Sequence, residues 1–209
     1  MTSEPNTNLK LIVMVGLPGV GKSTVIDLAV KKLKEKGYNV EVINFGDFML
    51  KFMVSKGYVK SRDEIRKLPL TIQQEAQARS AKEIRKKFEE LSSKFKGVFV
   101  GIVDTHALIK TETGLWPGLP KHVIEELRPH AIIIIEASPK EIVSRQLRDR
   151  TRYRADYARE ELIAELLNLN RVFAISSAVL VGASVATVMN REGKAEEAAE
   201  EVVNIIEKI

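Results

Sequence analysis

The sequence predicts an α/β fold: a parallel sheet covered by helices on both faces. Short apolar runs alternate with amphipathic stretches along the chain, and the inner runs are apolar at successive positions rather than at every second one. A glycine-rich loop ending in Lys-Ser follows the first run. Strands buried on both faces read as continuous apolar sequence, which a sheet between two helical layers requires.

Leu9–Val15 (LKLIVMV) reads as the first strand, being short, rich in β-branched residues and ended by Gly16. Residues 22–36 read as a helix, with Val25, Leu28, Ala29 and Leu33 on one stripe and Gly37 as the stop. Residues 40–44 form a second strand, and residues 45–56 and 71–94 read as helices, the latter with a dense charged face. Residues 97–103 (GVFVGIV) and Ala131–Glu136 (AIIIIE) are the third and fourth strands. Pro139–Arg148 and residues 160–181 read as helices, Ser184–Met189 as the fifth strand and Ala195–Lys208 as the closing helix.

At ~150 residues per domain, 209 residues favour one domain with a sizeable excursion. No internal repeat, low-complexity segment or linker divides it. The absence of cysteine excludes a disulfide scaffold, a Cys-ligated metal site and a thiol nucleophile. The net charge of +5 favours anionic partners but is too small to name nucleic acid. The first ten residues lack the basic start and apolar core of a signal peptide. The longest uncharged stretch, residues 172–189, approaches membrane-span length, but Ser176, Ser177, Gly182, Ala183, Ser184 and Thr187 make it semi-polar. It reads as a buried helix running into a buried strand, and the protein as cytoplasmic with no membrane partner.

The first strand leads into Gly16-Leu17-Pro18-Gly19-Val20-Gly21-Lys22-Ser23, followed by Thr24. This fits G-x-x-x-x-G-K-[ST], the phosphate-binding P-loop. Glycines let the backbone approach phosphates so that its N–H groups point at the oxygens, and the positive end of the next helix adds to that field. Lys22 can then reach the β- and γ-phosphates while the Ser23 hydroxyl ligates Mg²⁺. The bland alternative, a glycine-rich turn joining strand to helix, ignores how well the strand–loop–helix context suits the motif. The N-K-x-D tetrapeptide of guanine-specific switches is absent.

Asp104, closing the third strand in Val103-Asp104-Thr105-His106, stands where an acidic partner for Mg²⁺ and its waters belongs, or caps the segment after it. His106 points at substrate or packs. The 13 arginines and 20 lysines are unevenly spread: residues 145–159 hold six arginines, no lysine and two aspartates, a net +4. Arginine binds phosphate oxygens in pairs, whereas lysine is a point charge. This segment interrupts the flanking helices, as a phosphate-covering lid would. Only Tyr153 and Tyr157 interleave, which weakens a nucleic-acid reading.

These residues resemble the nucleoside monophosphate kinases, and more closely the archaeal type of adenylate kinase. The matching pieces are GLPGVGKST (16–24), NFGDFML (44–50), SRDEIRKL (61–68), VDTHALIKT (103–111), LPKHVIEEL (119–127) and VMNREG (188–193), in the family's order and over nearly the whole chain. The resemblance implies a P-loop NTPase-type five-stranded sheet in the order 2-3-1-4-5. It implies a single kinase domain with a core at 9–44, 97–145 and 160–209, a monophosphate-binding excursion at 45–96 and a short lid at about 146–159. Phe45, Gly46 and Asp47 would then start the AMP-side helix, and Arg66 would hold the AMP phosphate. Asp104 would organise Mg²⁺, and Arg148, Arg152 and Arg154 would close over the transferring group. The backbone around Asn190 and Gly193 would lie near the ATP adenine. The family also implies a homotrimer, with residues 173–182 as one candidate contact.

Bacterial and eukaryotic members carry D-G-F-P-R after the third strand, whereas Asp104-Thr105-His106 stands here, so the monophosphate-gripping arginine comes from elsewhere or yields to His106. The reaction so implied is ATP + AMP to two ADP. A kinase for UMP, CMP or dTMP shares nearly every feature, and a non-enzymatic P-loop module that binds ATP and a nucleic acid or protein is the alternative from another class.

Overall fold

A computed structural model describes residues 8–65, 68–111, 114–148 and 159–209. The strands are β1 (Leu9–Val15), β2 (Asn39–Asn44), β3 (Phe99–Asp104), β4 (Leu108–Thr111), β5 (Gly114–Pro117), β6 (Ala131–Glu136) and β7 (Ser184–Met189). The helices are α1 (Lys22–Glu35), α2 (Phe45–Ser55), α3 (Arg62–Ile65), α4 (Leu70–Ser92), α5 (Lys121–Leu127), α6 (Pro139–Arg148), α7 (Glu160–Val179) and α8 (Ala195–Lys208). Five strands form one parallel sheet in the order β2-β3-β1-β6-β7. Counted along the chain, that is the expected 2-3-1-4-5.

Alternation along β1 divides the core. Ile12 and Met14 face one side with Val25, Leu33, Val202 and Ile206 of α1 and α8. Leu11, Val13 and Val15 face the other with Ile84, Phe88, Ile124 and Leu127 of α4 and α5. A separate cluster of Met53, Val59, Ile65 and Ala76 closes α2, α3 and α4 over one another. Residues 45–96 therefore carry a small core of their own while α4 stays packed on the sheet.

Four elements, β4, β5, α3 and α5, go beyond the sequence expectation. β4 and β5 pair antiparallel, with Leu108 opposite Pro117 and Thr111 opposite Gly114. The helices α3 and α5 are short, and their apolar spacing covers too few turns to register as periodic. The strand expected at 97–103 begins at Phe99 and reaches Asp104, since Gly97, at φ 90°, is still in the turn. The stretch 172–189 also departs from expectation. β7 is an edge strand with only Val188 fully buried, and α7 leaves Val172, Ile175 and Val179 half or more exposed. Among the described residues α7 is one helix long and apolar enough to cross a membrane by length and composition. Its other face, through Ile163, Leu166, Leu167 and Ala174, packs in the core.

Because the sheet is parallel, Val15, Asn44, Asp104, Glu136 and Met189 all end at one edge, and the loops leaving them converge there.

Candidate active site

The loop from Gly16 to Gly21 turns tightly between β1 and α1. A Cβ on Gly16 would lie 2.7 Å from the Ile135 carbonyl oxygen, so only glycine fits. Gly21, at φ 81°, adopts the left-handed conformation and caps α1 without a side chain. Four loop carbonyls are held by side chains from outside. His106 Nδ1 meets the Gly16 oxygen at 3.0 Å and therefore carries its proton on that nitrogen. Gln146 Nε2 donates to the Pro18 oxygen at 2.7 Å, Arg145 to those of Gly19 and Val20 at 3.4 and 3.1 Å, and Asn190 Nδ2 to Val20 at 2.8 Å. With its carbonyls turned outward, the loop has its N–H groups and the start of α1 to offer an anion, and no acidic side chain stands in the first turn.

Lys22, the first residue of α1, forms an ion pair with Asp104 Oδ1. Both side chains are almost covered, and burial pushes the Lys22 ammonium down to about 8, while the carboxylate pulls the other way. Asp104 Oδ2 accepts from Asn44 Nδ2 at 2.8 Å. Ser23 and Thr24 sit exposed in the first turn. A hydroxyl and a carboxylate are hard oxygen donors that suit Mg²⁺, an ion usually held by one or two protein oxygens plus substrate phosphates and water. Among the described residues no cluster of three or more His, Cys, Asp or Glu could hold a metal without such help. The donor set fits a metal that arrives with its nucleotide.

On the other flank, Arg145 reaches Glu192 at 2.9 Å and the Asn190 carbonyl oxygen at 3.3 Å, joining the P-loop to the β7–α8 connection. Arg145, ahead of Arg148, holds the Glu192 carboxyl below its usual range. Glu141 Oε1 accepts from the Glu192 backbone N–H at 2.5 Å. Arg148, at the end of α6, is exposed and reaches Ser144 Oγ at 3.1 Å and Glu192 at 3.4 Å. Asn190 is buried, and its N–H donates to the Glu136 oxygen at 2.7 Å. Gly193 lies two residues before α8, at φ 70°.

The structure thus brings residues 16–24, Asp104, His106, Asn190 and Arg148 to one edge. Gly46 and Asp47 form the first turn of α2 nearby, but Phe45 is buried in the core, so its backbone is what a ligand could meet. Arg66, Arg152 and Arg154 lie outside the described residues, as does most of 146–159. Nothing in the sequence pattern singles out Asn44, Gln146 or Glu192. For Arg171, which pairs with Glu136, the one signal is the charged end of AIIIIE, which predicts a buried acid needing a partner.

A protein-family model described as an AAA domain matches residues 15–163. The chain is 47% identical to an adenylate kinase of Saccharolobus solfataricus over 94% of this chain and 98% of that protein. It is 44% identical to one of Sulfurisphaera tokodaii over the same shares. An adenylate kinase of Methanopyrus kandleri is 43% identical over 95% of this chain and 98% of its own length. Among solved structures, that of TT1252 from Thermus thermophilus aligns with a TM-score of 0.53 at 18% identity, over 95% of this chain and 98% of the other. At that identity it speaks for the fold alone.

Proposed function

This chain belongs to the adenylate kinase family and is a phosphotransferase, and on that premise we propose that the residues around Lys22 carry the reversible transfer of a phosphoryl group from ATP to AMP, giving two ADP. The observation that carries the reading is identity of 41–47% to archaeal adenylate kinases over nearly the whole chain.

The attacking group is an AMP phosphate oxygen, largely ionised near pH 7 because its second pKa is about 6. No side chain has to remove a proton. Catalysis then rests on in-line positioning and on neutralising charge over the transferring group. Residues 16–24 cradle the donor phosphates by their N–H groups. Lys22 leaves Asp104 for the β- and γ-phosphates, whose charge restores the proton affinity that burial takes away. Ser23 and Asp104 would hold Mg²⁺, which would supply further charge neutralisation when bound. Arg148, Arg152 and Arg154, from a lid at 146–159, close over the phosphoryl group. Residues 45–96 form the AMP side, with Phe45, Gly46 and Asp47 at the start of α2, Arg66 on the AMP phosphate and His106 beside it. Asn190 and Gly193 lie against the ATP adenine, and residues 9–44, 97–145 and 160–209 make the core.

The enzyme works in the cytoplasm as a homotrimer. The exposed face of α7 supports the trimer: Val172, Ile175, Val179 and Leu180 leave an apolar strip uncovered, beside a cavity of about 270 Å³ lined with Pro117, Leu119 and Phe173.

The test is Mg·ATP incubated with AMP, GMP, CMP, UMP and dTMP in turn, with diphosphate products resolved by chromatography. Selective conversion of AMP is expected. Turnover of another monophosphate would move the specificity, and bound ATP without any turnover would sink the enzymatic reading.

A further inference from the structure

Asn44 stands between the two substrate sides of the cleft and works in both directions. As the last residue of β2, it is in register with Asp104, the last residue of β3. Its Nδ2 donates to Asp104 Oδ2 at 2.8 Å, and its Oδ1 accepts from the Asp47 N–H at 3.0 Å, forming the N-cap of α2. The two partners fix the orientation of the amide, because an ionised carboxylate only accepts and a backbone N–H only donates.

The consequence falls on Asp104. A carboxylate turns freely about its last bond unless both oxygens are held. Here Oδ1 is held by Lys22 and Oδ2 by Asn44. When phosphates draw Lys22 away, Asn44 is the contact that keeps Asp104 in place. The same side chain starts α2, the element on the acceptor side. We propose that Asn44 is a positioning residue: it fixes the Asp104 carboxylate for phosphoryl transfer and ties it to the first turn of α2, so that the carboxylate and the acceptor-side helix are set as one unit. This rests on the adenylate kinase reading and adds to it a residue that acts through Asp104 and the first turn of α2.

Few other side chains could do both. Aspartate would keep the cap but face Asp104 as a like charge. Serine would also keep the cap, since its oxygen accepts from the N–H of the third helical residue, but it is too short to reach Asp104. Alanine would lose both bonds.

The experiment compares full-length wild type, Asn44→Ser and Asn44→Ala by steady-state kinetics, AMP titration calorimetry without metal, and thermal melting. Asn44→Ser is expected to keep wild-type melting and AMP affinity while kcat falls about 10-fold or more, the size of effect typical when an outer support of a ligating group is removed. Asn44→Ala is expected to show the same fall in kcat, together with weaker AMP binding. Wild-type kcat in Asn44→Ser, or kcat losses that track melting temperature in both variants, would overturn the proposal. Failure of wild type to make ADP from AMP would instead overturn the reading beneath it.

Discussion

Arg171 grips Glu136 with two parallel hydrogen bonds, Nε to Oε1 at 2.7 Å and a terminal nitrogen to Oε2 at 2.5 Å, although Glu136 is only 1% exposed. The pair joins α7 to the end of β6, where the Glu136 carbonyl also receives the Asn190 N–H. Its fork geometry is one that lysine could not reproduce.

Removing Arg171 therefore strands a buried charge. Arg171→Met is expected to destabilise the fold by about 3 kcal/mol, the lower end for a broken buried pair because the guanidinium is itself half exposed. Glu136→Gln combined with Arg171→Met should recover most of that loss, since no charge is then left unpaired. Urea unfolding of the single and double variants measures both. A single variant as stable as wild type would show that the carboxylate finds another partner.

Much of this edge is legible in the sequence, and the parts that are not share a physical reason. β1, β6 and β7 begin and end where the apolar runs do, and the P-loop sits where its motif predicts, because glycine and lysine there answer local demands. Asn44, Gln146 and Arg145 act through contacts across 60, 128 and 125 residues of chain, and no periodicity records such pairings. The exposure of β7 and of the α7 face escapes the sequence for a related cause: an apolar run looks the same whether its own domain covers it or something else does. Arg66, Arg152 and Arg154, read from the sequence, lie outside the described residues, whereas Arg148 is described at the end of α6.

Lys22 separates binding from catalysis. In the role proposed for it, its charge would face phosphates in the ground state but matter most where negative charge develops during transfer. Lys22→Ala is expected to lower kcat by roughly 10² to 10³, in line with the loss of one preorganised electrostatic donor, with a much smaller rise in the ATP KM. Steady-state kinetics at saturating AMP gives both numbers. A variant altered in KM alone would assign Lys22 to ground-state binding.

His130 predicts how stability responds to acid. Its Nδ1 accepts the Leu11 N–H at 3.0 Å and must be unprotonated to do so. Burial first, and then the positive charges of Arg85 and Lys10, hold its pKa below the usual histidine value. The folded state thus takes up this proton less readily than the unfolded chain. The contribution is complete above the unfolded pKa of about 6.5 and is lost as pH falls from there toward the lower folded value. His130→Asn keeps an acceptor without a titration. Its melting temperature should stay at a constant offset from wild type above about pH 7 and gain on wild type below about pH 6.5. Parallel curves over that range would remove His130 from the acid response.

The uncovered face of α7 makes the assembly testable apart from the chemistry. Val172, Ile175 and Val179 are 55%, 50% and 75% exposed, spaced three and four apart along one stripe of the helix. A charge placed on this stripe would face solvent in a monomer and change little there, but it would be buried unpaired in a trimer. Ile175→Glu and Val179→Glu are therefore expected to leave circular dichroism unchanged while sedimentation shifts from trimer to monomer. The active-site edge is built by other residues of one chain, so ADP formation per subunit should survive at low temperature. Melting temperature should fall and become insensitive to protein concentration, because mass action stabilises only an assembly. A wild-type chain that sediments as a monomer, or a glutamate variant that still sediments as a trimer, would remove this stripe from the interface.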